Sequence, residues 1–286
     1  MREHRTVNVA SLVFGEEGPL IDDLAETYIE ASKLSPCNVD QLRGIYRLRQ
    51  TEALKHTATR SVKLYPHRPI LPLPEPKFPS VDFWDILHRR RTVRHYNNHA
   101  ISLVDLSTIL KGSCGITGEI KYQPNLAQCL RTVPSGGALY PFEVYCVVIN
   151  VEGITPGLYH YNPLSHGLEE LRIGQFKHII VEAACGQGEL VEECAVIFIL
   201  TGMFWRSRFK YGLRGFRFVL MEVGHLAQNL LLTAESLDMA AVLLGGFYDD
   251  QVNRFVGIDG VNEAPLYLVT IGYKGRKAKD VESEVF

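Results

Sequence analysis

Thr132-Val133-Pro134-Ser135-Gly136-Gly137-Ala138-Leu139-Tyr140-Pro141 runs without a break into Phe142-Glu143-Val144-Tyr145-Cys146-Val147-Val148-Ile149. The first half is a small-residue loop whose prolines fix φ at both ends, and the second half reads as a buried strand. Gly136 and Gly137 remove the Cβ atoms that would hold a ligand away from backbone N–H groups, so the loop can lie flat against a planar cofactor. The same residues are also ordinary turn chemistry, and other segments must decide between the two readings.

The chain has 286 residues, 46% of them apolar, enough for one large domain or a domain with an appendage. Lys+Arg number 30 against Asp+Glu 32, a net charge of -2, which gives no global reason to expect nucleic acid or an anionic membrane as partner. Met1-Arg2-Glu3-His4-Arg5 lacks the apolar core of a signal peptide, and no run approaches the roughly 18 apolar residues of a membrane span, so a cytoplasmic location is expected. The six cysteines form no CxxC pair; neither a metal site nor a disulfide framework is indicated, and buried thiols are expected.

Residues 1–65 read as a helical N-terminal appendage, with Leu20, Ile21, Leu24, Tyr28 and Ile29 on one face and Val39, Leu42, Ile45, Tyr46 and Leu54 on another. Residues 66–79 are a proline-rich connector in which helix and strand interior are both disfavoured. The main domain is placed at 80–277, followed by a charged tail, 278–286. Ser80 is a candidate N-cap for a helix turning Phe83, Trp84, Ile86 and Leu87 inward, and a second helix should run from Ser102 and stop at Gly112. Further on, Gly157–Tyr161 and Gly167–Leu171 form a hairpin-like pair, and Ala195–Leu200 is a strand covered on both faces. A long central helix runs from about Phe216 to Leu237, its apolar residues recurring every three or four positions, with His225 a satisfied buried histidine. Ala240–Phe247 and Pro265–Gly272 complete the strands.

Three basic clusters punctuate this frame. Arg90, Arg91 and Arg94 with the Thr92 hydroxyl are either a solvated face or a set of forked donors for a phosphate, which guanidinium grips bidentately. Trp205 to Arg214 precedes the central helix, and Tyr273-Lys274-Gly275-Arg276-Lys277 follows the last strand.

Arg90 to Tyr96, Pro134 to Pro141, Gly157 to Tyr161, Gly224 to Asn229 and Pro265 to Gly272 together resemble the nitroreductase-fold flavoproteins. More narrowly they are similar to the SagB/ThcOx-type branch, the azoline dehydrogenases of ribosomal peptide modification; the likeness covers about residues 60 to 277. It implies an α+β fold, a central mixed sheet flanked by helices, in an intertwined homodimer that binds FMN between subunits. It assigns the FMN phosphate to Arg90, Arg91, Thr92 and Arg94, with Arg276 a weaker candidate. The Pro-Ser-Gly-Gly loop contributes Ser135, Gly136, Gly137 and Leu139, and the flavin edge falls to Leu244, Gly245 and Gly246. No GxGxxG follows a strand, so a built-in nicotinamide domain is not indicated.

The branch also resembles this chain at Lys210-Tyr211, a pair it uses for substrate deprotonation. Aromatising a thiazoline or oxazoline removes a proton from one ring carbon and a hydride from its neighbour, and the proton needs a base. Arg206, Arg208 and Arg214 lie within four residues of Lys210, and positive neighbours favour a neutral amine. The other reading is a solvated basic loop with Tyr211 as packing; if the pair is extended, both side chains can act together only from a turn. Three functions stay open: an FMN-dependent dehydrogenase oxidising an azoline or similar peptide-derived substrate with O2 as acceptor; an NAD(P)H-dependent nitro or quinone reductase; and a flavin-binding scaffold docking on a cyclodehydratase or peptide carrier.

Overall fold

Phe142–Val148 forms β4, buried at every position, and it is the middle strand of a seven-stranded sheet. In the computed structural model, which describes residues 24–35, 43–123 and 126–275, the strand order is β1-β6-β5-β4-β7-β9-β8. Here β1 is Ile70–Pro72, β5 Gly157–Asn162, β6 Gly167–Ile173, β7 Val196–Met203, β8 Met239–Leu244 and β9 Glu263–Tyr273. The ladders are antiparallel, and the parallel component of the expected mixed sheet is an isolated bridge between Ile101 and Val151. Short reversals such as 163–166 dictate the antiparallel sense.

The pleat sorts β4 between two apolar layers. Val144, Cys146 and Val148 face a core closed by α5 (Leu103–Cys114) and α9 (Arg214–Ser236), with Leu106, Ile109, Val223, Leu226 and Leu230 buried there. Tyr145 and Val147 face the other core, closed by α6 (Lys177–Ala183), α7 (Glu189–Glu192) and α10 (Asp249–Val256). A separate hairpin, β2 (Ile116–Gln123) with β3 (Leu126–Arg131), stands outside the sheet. Its first strand is exposed after Ile116, although Ile116, Ile120 and Tyr122 alternate with Thr117, Glu119, Lys121 and Gln123, a period-two strand signal to which no strand was assigned from the sequence. N-terminal helices α1 (Leu24–Ala31), α2 (Arg43–Gln50) and α3 (Glu52–Thr59) precede the sheet; Leu20, Ile21, Val39 and Leu42 lie outside the described residues.

Several local expectations are corrected. Helix α4 (Phe83–Arg89) is capped by Asp82, whose carboxylate accepts from the Trp84 and Asp85 N–H groups at 2.8 and 3.2 Å, rather than by Ser80. It turns only Ile86 inward; Phe83, Trp84 and Leu87 are exposed. Gly112 does not stop α5, which continues to Cys114. A Cβ there would lie 3.0 Å from Thr233 Oγ1, so the glycine is used for close approach to α9. The proline-rich connector contributes β1, which is tolerated because β1 is an edge strand. Trp205–Tyr211 lies in helix α8 (Phe204–Tyr211) rather than in a loop. Of the described cysteines, Cys114, Cys146 and Cys194 are buried, Cys129 is half-buried and Cys185 exposed, and none forms a disulfide.

The face of β4 that carries Glu143 and Tyr145 also carries buried charge. His160 bonds Glu169 at 2.8 Å through Nδ1 and Glu143 at 3.0 Å through Nε2, so both ring nitrogens donate and the ring is a cation. Arg206 Nη2 donates to Glu143 at 2.5 Å. Burial opposes charge on both groups, but Arg206 and His160 hold Glu143 down at about 2, and the two carboxylates raise His160 above its ordinary value. The contribution from Glu143 is present above its unfolded value of about 4.5 and is lost as pH falls towards about 2. The contribution from His160 is full below about 6.5 and is lost as pH rises through its raised folded value. The denaturation midpoint is therefore expected to be highest between about pH 4.5 and 6.5 and to fall on both sides; a flat profile from pH 6.5 down to 2 contradicts this network.

Candidate active site around the Pro-Ser-Gly-Gly loop

The loop between β3 and β4 holds an unusual backbone under tight restraint. Gly137, Ala138 and Tyr140 have φ of 70, 51 and 43°, the left-handed region that non-glycine residues enter at a cost. Ser135 Oγ accepts from Tyr140 N at 2.8 Å, and Gln128 Nε2 donates to the Gly137 and Ala138 carbonyls at 2.8 Å each. Gly136 N donates to Glu222 Oε1 at 2.9 Å. Leu139 is buried, so its side chain serves packing and leaves its backbone to the loop.

Lys210 and Tyr211 reach this loop from the last turn of α8. A Cβ on Gly137 would overlap Lys210 Nζ and come within 2.8 Å of the Tyr211 hydroxyl, so both functional groups lie over that glycine. Neighbours on a helix point about 100° apart, and the helix end achieves the convergence that a turn was expected to provide. Lys210 Nζ stands 5.0 Å from the Tyr211 ring centroid, and Phe218 meets that ring edge-on at 4.9 Å. Burial first, then the nearby Glu222 carboxylate, raise the Tyr211 phenol above its ordinary value, so it remains a proton donor. The flanking arginines are turned to other partners: Arg206 to Glu143, Arg208 over the Trp205 ring at 4.5 Å, and Arg214 to the Ser32 carbonyl at 3.4 Å.

Two cavities flank the loop. The larger, about 560 Å³, is lined by Ser135, Gly137 and Lys210 together with residues of α2, α3 and the β2–β3 hairpin. The smaller, about 240 Å³, lies between Pro134–Gly136 and Phe218, Met221, Glu222 and His225 of α9. His225 is exposed, not the buried histidine expected, because it sits on the solvent side of the α9 stripe.

Arg90 is half-buried, while Arg91, Thr92 and Arg94 are exposed on an irregular segment that ends where Tyr96 bridges Lys274, just past β9. Among the described residues no carboxylate pairs with Arg90, Arg91 or Arg94, so no described residue neutralises these guanidinium groups. Leu244 is buried, and Gly245 and Gly246 are exposed at the far end of the β8–β9 pair. The register from Met239–Tyr273 to Leu244–Leu268 spans five residues, roughly 17 Å of strand. Neither cavity beside Ser135 is lined by these arginines or glycines. One chain therefore gathers Ser135, Gly136, Gly137, Lys210 and Tyr211, and holds Arg90–Arg94 and Gly245–Gly246 apart from them. Arg276 lies outside the described residues.

Sequence reasoning missed Glu222. It is 4% exposed, and burial raises its carboxyl above the ordinary value although the Ser135 hydroxyl and Gly136 N–H oppose this. Its signal was a carboxylate within an apolar helix stripe, which required a partner.

Residues 87–273 match the model of the nitroreductase family. A protein of Methanocaldococcus jannaschii named as a nitroreductase, MJ1384, is 36% identical over 199 residues, 70% of this chain and 94% of that one. The microcin B17-processing protein McbC of Escherichia coli is 31% identical over 153 residues, 52% of this chain, and the match spans 56% of McbC. The solved E. coli microcin synthetase McbBCD complex with truncated pro-MccB17 bound superposes with a TM-score of 0.55 at 23% identity, covering 85% of this chain and 99% of the matched chain; at that identity it speaks for the fold. No helix among the described residues is long and apolar enough to cross a membrane. With the family match spanning β4, the Pro-Ser-Gly-Gly loop and the Lys-Tyr helix alike, and a relative 36% identical over 70% of its length, the chain belongs to the nitroreductase family of oxidoreductases.

Proposed function

We propose that the protein is an FMN-dependent dehydrogenase that oxidises an azoline, or a similar ring in a peptide-derived substrate, with O2 as final acceptor. The observation that carries this reading is the placement of Lys210 Nζ and the Tyr211 hydroxyl together over Gly137, with Lys210 and Gly137 in the lining of the larger cavity. A reductase of this fold needs no base at that position.

The residues present fit an FMN. Unneutralised Arg90, Arg91 and Arg94 with the Thr92 hydroxyl suit a phosphate. The exposed Gly245–Gly246 backbone, one strand length away, suits the edge of the ring. Because Ser135–Gly137 and the arginines do not share a cavity within one chain, the complete site is formed between two copies, the loop of each closing on the cradle of the other. Exposed Trp84, Leu220 and Met221 supply apolar surface for that contact.

Bound there, FMN supplies a two-electron acceptor for hydride. Lys210, as the free amine, takes the proton from the ring carbon next to the one that gives up hydride. The Tyr211 hydroxyl donates a hydrogen bond to the ring heteroatom or to the adjoining carbonyl, and Gln128 and Glu222 keep the loop in place beneath it. The ring loses one proton and one hydride and becomes aromatic. Incubation with a thiazoline peptide in air should yield a product lighter by two hydrogens with matching O2 consumption; an unchanged mass rejects the reading.

Arg94→Ala is expected to purify with little flavin, measured by absorbance per protein, because one of the three guanidinium groups suited to the phosphate is removed. Full flavin content in that variant would take Arg94 out of the phosphate site.

A further inference from the structure

The N-terminal helices are built against the turn that carries Lys210. Gly44 in α2 lies so close to α8 that a Cβ would overlap the Phe209 carbonyl and stand 2.8 Å from Lys210 Cα. Helix α1 is fastened beside it: the Tyr28 hydroxyl donates to the Leu213 carbonyl at 3.2 Å, Arg217 Nε donates to Ser32 Oγ at 2.8 Å, and Tyr28 meets Phe216 edge-on at 5.3 Å. Beyond Gly44 the chain continues through α2 into α3, and Leu48, Lys55 and Ala58 line the same 560 Å³ cavity as Lys210 and Gly137.

We propose that residues 43–59 are the specificity wall of the substrate chamber, so that Leu48, Ala58 and Lys55 select which ring-bearing segment reaches Lys210. This rests on the base reading of Lys210. The chamber chemistry defines the class of substrate. Among the described residues its charged lining groups are Lys55 and Lys210, with no carboxylate in the lining, and Leu48, Ala58, Ile120 and Leu126 supply apolar surface. Such a chamber takes a single five-membered ring with small apolar neighbours and an acidic or neutral flank towards Lys55, and disfavours a cationic flank. Lys55 is held by Glu52 at 2.6 Å, on the same helix, which fixes its ammonium beside the lining.

The test is protection from reductive methylation, read residue by residue by mass spectrometry on the purified flavin-containing protein, alongside oxidation of the same probe. The probe is a thiazoline peptide with alanine beside the ring and glutamate on the flank. At a probe concentration about ten times Kd, Lys55 and Lys210 should be modified roughly ten-fold more slowly, while Lys121, exposed on the hairpin and outside the lining, is unaffected. Ala58→Trp and, separately, Lys55→Glu should remove the protection of Lys210 with flavin content unchanged. A lysine-flanked probe should protect less than the glutamate-flanked one. Oxidation of the probe without protection of Lys55 overturns this inference and leaves the proposed function standing. Protection without oxidation overturns the proposed function and with it the selection of a substrate for Lys210, leaving residues 43–59 as part of a binding surface alone; neither effect overturns both.

Discussion

Replacing Lys210 with Ala is expected to lower the rate of substrate oxidation by about 100-fold or more while leaving the bound flavin in place, since removal of a general base typically costs 10²–10⁴-fold. The separation of the two effects follows from geometry. Lys210 lies over Gly137 and lines the cavity, whereas the arginines suited to the phosphate lie on another part of the chain. Tyr211→Phe should cost less, because it removes a hydrogen bond and keeps the ring that packs on Phe218. Turnover of Lys210→Ala at the wild-type rate would leave the Lys-Tyr turn a packing feature.

Arg206→Ala should be the most destabilising single change. Arg206 neutralises buried Glu143 and also donates to the Tyr140 carbonyl at 2.8 Å and the Ser61 carbonyl at 3.2 Å, joining α8, the loop and the segment after α3. Breaking a buried ion pair by removing one partner costs about 3–5 kcal/mol, which for a domain of this size lowers Tm by on the order of 10 °C. His160 still faces Glu143 and tempers the loss. Replacing Arg206 and Glu143 together by methionine should recover only part of the stability, because His160 Nε2 and the Lys63 N–H then lose their acceptor and buried Arg131 loses a favourable carboxylate. A thermal midpoint unchanged in Arg206→Ala would show that Glu143 is already satisfied without it.

The strands and the central helix were legible because their apolar residues recur with unmistakable periods: β4 and β7 as continuous buried runs, α9 as a stripe at three and four. What escaped was set by packing between distant segments. Gly112 looks like a stop signal, and only the approach of Thr233 reveals it as a contact. The β2–β3 hairpin carries its period-two pattern on a strand that is exposed after Ile116, and nothing in that pattern shows that Gln128 reaches across to fasten the loop. The Pro-Ser-Gly-Gly loop and the Lys-Tyr pair were both visible as motifs some seventy positions apart in the chain. Their meeting at Gly137 could not be read from spacing, because it depends on β4, β7 and α8 bringing the chain back to the same end of the sheet.

The central claim is that electrons enter this protein from a ring deprotonated at Lys210. The most direct measurement mixes the purified yellow protein under argon with a thiazoline peptide and, separately, with NADPH. The expected result is rapid loss of the flavin colour with the peptide, at a rate lowered by about 100-fold or more in Lys210→Ala, and scarcely any loss with NADPH. Rapid bleaching by NADPH, with none by the peptide, would contradict it and make the protein a nicotinamide-driven reductase.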